Sequence, residues 1–271
     1  MTKYFKKIIY ILTILLSLLG IIFSLLNIIS YFIDQKNNNN QLSNVKDIAK
    51  IKEINDNTKT LNSNNKDKTD PYWEYIKMNL IDVDFDSLEK VNSDIKGWIK
   101  VNGTNINYPF VQTNNNDYYL NHSLDKTKNI GGWVFLDYRN NLSDTTDKNT
   151  IIYAHGMRNK TMFGTLKNIF SNDWLNDTNN HVVKISTRYE DTLWQVFSVY
   201  KITTTNDYLK INFNNDSKFE NFNNMIISRS IYKFNTKISK DDRILTLSTC
   251  YNDTEKVVLH AKLIKWKEKK S

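Results

Sequence analysis

The longest apolar run of the chain lies near its N-terminus. Residues 8–33 contain no charged side chain, and Lys3, Lys6 and Lys7 precede them. At about 1.5 Å per residue, a helix of this length exceeds the roughly 30 Å hydrocarbon core of a bilayer, so we predict one tilted transmembrane helix. The lysines place the N-terminus in the cytoplasm and the rest of the chain outside the cell membrane. The run is too long for a cleavable signal peptide, so residues 1–34 are interpreted as an uncleaved single-pass signal anchor.

A polar stretch follows the apolar run. Residues 35–70 are rich in Asn, Lys and Asp and contain no aromatic side chain. Such a stretch buries too little apolar surface to offset the entropy lost on ordering. We therefore expect a disordered linker over residues 35–70 and a folded domain over residues 71–271.

The pattern in the folded domain is mainly that of strands, after two short helical candidates near residues 72–76 and 84–91. Apolar or alternating runs bounded by turn residues predict eight strands: 97–101, 106–112, 132–136, 150–154, 182–187, 192–202, 244–249 and 257–266. Asn102-Gly103 predicts a tight turn between the first two. Further helices are predicted at 161–170 and 218–230, the second between the sixth and seventh strands. Many strands without regular βα alternation indicate a mainly β fold, a closed or nearly closed barrel.

The charge of the chain changes this picture little. The net charge of +8 comes mainly from lysines that are scattered rather than clustered. A solvated lysine-rich surface explains them, with weak attraction to anionic lipid or wall polymer. Nucleic-acid binding is not supported, because such proteins group their basic residues in patches.

Cys250 is the only cysteine of the chain. It closes the apolar run ILTLSTC at 244–250 and leads into a polar turn. A lone cysteine cannot form an intramolecular disulfide, so it is either an inert buried residue or a free reactive thiol. The end of a strand is where a rigid scaffold presents catalytic side chains, and this position favours the reactive thiol.

A reactive thiol needs a neighbouring base or cation, and the chain has four histidines. His122 and His181 lie in polar stretches and are interpreted as surface residues. His260 falls on the outward face of the last strand by alternation. His155 ends the strand TIIYA and precedes a glycine, as Cys250 ends its own strand, so neighbouring strands would bring the two together; a capping or surface histidine is the alternative. No Cys, His or carboxylate spacing suggests a metal site.

Several motifs resemble those of class B sortases. They are GWIKV at 97–101, INYPFVQ at 106–112, NDYYL at 116–120, FLDYRN at 135–140, NTIIYAHGM at 149–157, MFGTL at 162–166, and TLSTC at 246–250 followed by KVVLHAKLI from Lys256. The resemblance covers roughly residues 73–266, in the same order along the chain. The predicted N-terminal anchor agrees with it independently.

The resemblance implies a sortase-type closed β-barrel with N-terminal helices and a helix inserted between the sixth and seventh strands. It implies transpeptidation without a metal or organic cofactor. The Cys250 thiolate would cleave a C-terminal sorting signal of secreted proteins through a thioacyl-enzyme, with His155 handling protons. The acceptor would be an amine of a cell-wall precursor in a Gram-positive envelope. The alternatives are a pilin polymerase that uses a pilin lysine as acceptor, and an enzyme that only hydrolyses.

One position departs from the family pattern. The family has a catalytic arginine where Lys256 stands. Lysine supplies a positive charge near an oxyanion but lacks the planar guanidinium fork. Arg243 lies seven residues before Cys250, about 23 Å along an extended strand, and is too far away to substitute. The resemblance therefore implies His155, Cys250 and Lys256 as catalytic residues.

Four further residues are candidates for substrate contact. Asn116 and Leu120 match the family's groove-lining segment, and Ser248 and Thr249 precede the nucleophile. Ordinary turn and packing roles explain them equally well. Two functions outside transpeptidation also stay open, a wall-directed cysteine peptidase or amidase and an anchored binding module in which Cys250 is inert. Papain-like hydrolases place Cys before His, the reverse of the order here.

Overall fold

The structure, a computed structural model, describes residues 3–61, 70–252 and 254–269. Its α-helices are α1 Lys3–Ala49, α2 Tyr72–Tyr75, α3 Phe85–Glu89, α4 Asn172–Asn176 and α5 Asp216–Ser228, with 3₁₀ turns at Tyr118–Leu120, Gly164–Phe170 and Thr178–Asn180. Its strands are β1 Lys52–Ile54, β2 Lys59–Thr60, β3 Leu80–Asp82, β4 Ile95–Val101, β5 Asn107–Val111, β6 Phe135–Leu136, β7 Asn149–Tyr153, β8 Val182–Thr187, β9 Glu190–Thr203, β10 Ile244–Cys250 and β11 Glu255–Glu268.

Strands β4 to β11 close into an eight-stranded barrel. The order is β10-β7-β6-β5-β4-β8-β9-β11, and β11 pairs again with β10. The pairs β5–β6 and β7–β10 are parallel, and the others are antiparallel. β2 extends the edge of β11, and β1 pairs with β3. The predicted mainly β barrel is confirmed, and its eight strands correspond to the eight predicted from the sequence.

The two faces of β10 show how the barrel is packed. Leu245 and Leu247 point into the barrel core and are fully buried. Ile244 points outward, where Phe222 and Ile226 of α5 cover it. α5 lies between the sixth and seventh barrel strands, as predicted. The outer surface of this part of the barrel is therefore a second apolar core.

The sequence-based prediction of a disordered linker is wrong over residues 35–61, where α1, β1 and β2 lie. α1 continues through Ala49, and Gln35, Asn38, Val45 and Ala49 are all buried against the domain. Together with the partly buried Leu42, these residues recur every three to four positions and so form one face of a helix. Their face combines two amides, which form hydrogen bonds through Asn38 Nδ2 and Gln35 Oε1, with small apolar side chains, which enter the main core. Residues 62–69 of the predicted linker lie outside the described residues.

The apolar half of α1 is exposed along its length. Among the residues described, α1 over Tyr4–Ala49 is the one helix long and apolar enough to cross a membrane. Side chains such as Leu16 (68% exposed) and Phe23 (69% exposed) lie open on its surface. An exposed apolar surface of this size is typical of a segment that is covered by lipid.

Two histidines that were predicted to be exposed are buried. His181 is 4% exposed and packs against Trp174 and Phe234, with ring centroids 4.9 Å away in each case. His260 does point away from the barrel interior, but the second core covers it completely. Alternation along a strand gives the face of a residue, whereas it cannot show which other element covers that face.

Candidate active site

Strand register places Cys250 beside Lys256 and next to the end of β7. Cys250 pairs with Lys256 across the antiparallel β10–β11 ladder. In the parallel β7–β10 ladder, Ser248 pairs with Tyr153. Two residues further along both chains, His155 therefore follows β7 on the same face as Cys250. The three side chains predicted to be catalytic converge at one end of the barrel.

The amine of Lys256 contacts the thiol directly. Lys256 Nζ lies 3.0 Å from Cys250 Sγ, within hydrogen-bond distance for sulfur. The turn between the two strands is short, because Tyr251 N–H donates to Glu255 O (2.8 Å) and Asn252 Oδ1 accepts from the Glu255 N–H (2.8 Å). This compact turn puts Lys256 directly opposite the nucleophile. Lys256 therefore places a hydrogen-bond donor with a positive charge beside the sulfur.

His155 is held by its flanking segments. Its Nε2 lies 2.7 Å from Leu120 O, and because a carbonyl oxygen only accepts, the proton of this pair is on Nε2. The His155 carbonyl accepts from the Phe163 N–H at 3.0 Å. The side chain is half-buried at the end of β7. The Leu120 carbonyl thus orients the imidazole, and the loop after β7 fixes the backbone of His155.

A close approach of two backbone segments explains why a glycine, Gly156, follows the histidine in the sequence. A Cβ at this position would lie 2.4 Å from the carbonyl oxygen of Cys250 and 3.1 Å from Thr249 Oγ1. Thr249 in turn donates to Ala154 O at 2.7 Å. Only glycine allows the chain after β7 to pass this close to the nucleophile strand. The spacing between the two strand ends is therefore set by backbone contact.

A buried carboxylate beside the site was not found from the sequence. Asp137 has no exposed surface; it accepts hydrogen bonds from Tyr153 Oη (2.8 Å), Arg139 (2.8 Å) and Asn116 Nδ2 (3.1 Å). Burial by itself raises the pKa of Asp137, but the hydrogen bonds from Arg139 and Tyr153 hold that pKa below its ordinary value. Asp137 lies in the motif FLDYRN at 135–140, and its partner Tyr153 precedes His155 by two residues and therefore shares its face.

The predicted substrate-contact residues occupy different surroundings. Leu120 is 38% exposed beside His155. Asn116 is half-buried and connects its segment to the loop after β6, because its Oδ1 accepts a hydrogen bond from the Tyr138 N–H at 2.9 Å. The Ser248 hydroxyl lies inside the protein, 3.0 Å from Tyr208 Oη, and the Thr249 hydroxyl is buried at Ala154. Their roles toward a substrate stay predictions, and Leu120 is the one of the four with a large open surface.

Arg243 lies away from this site, as expected. It precedes β10 at the end opposite Cys250, and it donates to Glu190 Oε2 at 3.1 Å. Within residues 3–61, 70–252 and 254–269, no group of three His, Cys, Asp or Glu side chains is placed to hold a metal ion. The chemistry that these side chains offer is nucleophilic acyl transfer by a thiol, with a cation and an imidazole beside it.

Known proteins share this fold and its motifs. The model of the sortase domain family matches residues 99–264. The sortase B of Staphylococcus aureus is 37% identical over 185 residues, which cover 67% of this chain and 75% of the relative. That of Listeria monocytogenes is 38% identical over 187 residues, covering 65% and 72%. A solved Staphylococcus aureus sortase B–substrate complex superposes with a TM-score of 0.62 at 36% identity, covering 67% of this chain and 84% of that one. The chain therefore belongs to the sortase family, in class B, and is a sortase enzyme.

Proposed function

We propose that this sortase is a cysteine transpeptidase that works on the outer side of the cell membrane. It cleaves a C-terminal sorting signal of secreted proteins and joins the new carboxyl end to an amine of a cell-wall precursor. The exposed apolar half of α1 and the preceding lysines support a single-pass anchor with the N-terminus in the cytoplasm. The substrate complex of the Staphylococcus aureus relative supports a substrate of the same kind.

The observation that carries this proposal is the 3.0 Å contact between Lys256 Nζ and Cys250 Sγ, beside His155. The Cys250 thiolate attacks the scissile carbonyl, and the charge of Lys256 stabilises the oxyanion that forms. His155 gives a proton to the leaving amine, and a thioacyl-enzyme results. An incoming amine then attacks the thioester and loses its proton to His155. The new amide leaves and the Cys250 thiolate returns.

A sorting-peptide library tests the proposal. We expect the full-length protein in detergent, incubated with the library and an amine acceptor, to yield an amide product detectable by mass spectrometry. Cys250→Ala serves as the inactive control. Hydrolysis without amide product across all peptides and acceptors would instead assign a peptidase or amidase. If a thiol-reactive probe labelled Cys250 no faster in the wild type than in His155→Ala, an inert binding module would be the better assignment.

A further inference from the structure

Helix α1 passes from its apolar half onto the domain without a break. The first polar residue after the apolar run is Asp34, whose carboxylate accepts a hydrogen bond from the Ile130 N–H at 3.0 Å. The Asp34 carbonyl accepts a second from Asn129 Nδ2, also at 3.0 Å. Asn38 Nδ2, one turn further, donates to Asn129 Oδ1 at 3.0 Å. The loop around Ile130 is therefore fixed to the first turns of α1 that follow the apolar run.

A second loop docks at the same level of α1. Gln35 Oε1 accepts from Asn159 Nδ2 and, at 3.2 Å, from Thr161 Oγ1. This loop begins directly after His155, and the chain returns through the bridge between Gly156 and Met162. The first loop follows Leu120, whose carbonyl is the partner of His155. Both loops that flank His155 thus contact the part of α1 nearest to the apolar run.

The direction of α1 sets how far each part of the domain lies from the apolar run. From Ile33 to Ala49 the helix rises about 24 Å, at about 1.5 Å per residue. At its far end, the Ala49 carbonyl accepts from the Asp84 N–H, next to α3. Arg188, beside Tyr189, pairs with Asp86 of α3. Tyr189 is therefore on the distal side of the domain, whereas the two loops lie within about one helical turn of the apolar run.

The same two loops expose one large apolar side chain and several cations. Ile130 is 62% exposed although its backbone is fixed by Asp34. Lys128 lies beside it, and Arg158 and Lys160 lie on the second loop; all three are exposed. An exposed apolar side chain on loops that also carry exposed cations fits a surface of anionic phospholipid, which attracts each cation.

We propose that residues 128–132 and 157–161, here called the membrane-facing loops, contact the outer leaflet of the bilayer that α1 spans. Ile130 enters the interfacial region, and Lys128, Arg158 and Lys160 face anionic headgroups. His155 is then held close to the membrane surface, where a sorting signal or acceptor that is itself attached to the membrane arrives. The inference rests on the proposed anchoring of α1 and not on the proposed reaction.

Site-directed fluorescence tests the proposal in the full-length chain. Cys250→Ala removes the natural thiol, and Ile130→Cys or Tyr189→Cys then introduces one label site for a polarity-sensitive fluorophore. Tyr189 is the matched control because it is 44% exposed on the distal side. Each protein is reconstituted in phosphatidylcholine vesicles with about one third phosphatidylglycerol. We expect lipids spin-labelled near the headgroup to quench the probe at position 130 at least about twofold and to leave that at 189 unchanged.

The outcomes separate the inference from the proposed function. If the protein floats with the vesicles but the probe at 130 is quenched no more than that at 189, the contact is overturned and the anchor stands. If the protein does not float with the vesicles, the anchor and the contact are both overturned.

A second experiment replaces Lys128, Arg158 and Lys160 by Gln in the Ile130→Cys protein. If the three substitutions lower the quenching in vesicles that contain phosphatidylglycerol but not in pure phosphatidylcholine, the contribution of charge is supported. If the protein is quenched equally with and without the three cations in both kinds of vesicle, that contribution is overturned.

Discussion

At the scale of single residues, the proposed mechanism assigns to Lys256 the stabilisation of negative charge. Its Nζ lies 3.0 Å from the thiol sulfur, which is the attacking atom of the proposed reaction. An arginine would offer several donors in a plane, whereas lysine offers one compact charge. In the proposed mechanism, Lys256 therefore supplies the positive charge of the expected arginine without its bidentate hydrogen bonding.

Substitution of Lys256 gives the first prediction. We expect Lys256→Ala to lower kcat/KM about 100- to 1000-fold, as removal of one oxyanion donor does elsewhere. Lys256→Arg should keep or raise the activity, because the charge is retained and the fork is added. Lys267→Ala is the matched control, since Lys267 lies on the same strand at the end away from the thiol. Near-wild-type transpeptidation by Lys256→Ala would contradict the role of this amine.

Gly156 gives a second prediction at this scale. In Gly156→Ala the new methyl group would meet the Cys250 carbonyl at 2.4 Å, a backbone atom that cannot turn aside. The two strand ends must then move apart, and displacement of a reacting group by about 1 Å can cost about 100-fold in rate. We expect kcat to fall by at least that factor. Gly20→Ala, with nothing within 4 Å of its Cβ, should leave kcat unchanged.

Candidate site residues at strand ends could be found from the sequence. A residue that is buried by contacts from several segments of the chain could not. Cys250 and His155 each close an apolar run, and parallel pairing of β10 with β7 brings them together. Asp137 gave no such signal, because its partners come from three different segments of the chain. Its burial is visible only once the barrel has closed. Local patterns reveal which residues lie at the ends of strands, whereas long-range packing determines which side chains surround them.

At the scale of elements, α5 converts the outer face of β10 and β11 into a second core. His260 is fully buried in it, with Nε2 2.9 Å from Tyr200 Oη and Nδ1 2.9 Å from Thr246 Oγ1. Burial, with a smaller contribution from the charge of Arg229, lowers the pKa of His260 to about 3. The imidazole is therefore neutral at physiological pH and links β9, β10 and β11 by hydrogen bonds.

This burial predicts a sensitivity to acid. Unfolded, His260 takes up a proton near its ordinary pKa of 6.5, whereas the folded protein resists protonation down to about pH 3. The stability that the neutral imidazole gives is complete above pH 6.5 and is lost as the pH falls toward 3, by at most about 1.4 kcal/mol per pH unit. Urea unfolding between pH 7 and 4 should show a steeper loss in the wild type than in His260→Gln. Equal slopes would show that this histidine does not couple folding to pH.

At the scale of the whole molecule, α1 joins the apolar segment to the barrel as one rigid element. The composition of residues 35–70 predicted a disordered linker, and that prediction counted only how apolar the stretch is. The helix instead uses amide side chains on its inner face, and Asn38 Nδ2 and Gln35 Oε1 form hydrogen bonds with Asn129 and Asn159 of two loops. Composition does not reveal such pairing, because the partners lie about 90 to 125 residues away in sequence.

Truncation tests whether this helix belongs to the folded domain. Val45 (2% exposed) and Ala49 (0% exposed) lie in the same core cluster as Phe85 and Leu88. A chain that begins at Asp34 keeps these contacts, whereas one that begins at Lys50 loses them and opens the core to water. We expect the shorter chain to have a free energy of unfolding at least about 3 kcal/mol lower, which is within the range for deleting one large buried side chain.

Point substitutions separate this packing from the general effect of shortening the chain. In the chain that begins at Asp34, Val45→Ala should cost about 2 kcal/mol, from two buried carbon groups and the space that they leave. Asn44→Ala, at an exposed position one residue away on the same helix, should cost less than about 0.5 kcal/mol. Urea denaturation of the four proteins gives these differences directly. If the chains beginning at Asp34 and Lys50 unfold with the same free energy, residues 34–49 are a tether after all. The membrane-facing loops would then have no rigid connection to the bilayer, so the height of His155 above the membrane depends on the outcome of this measurement.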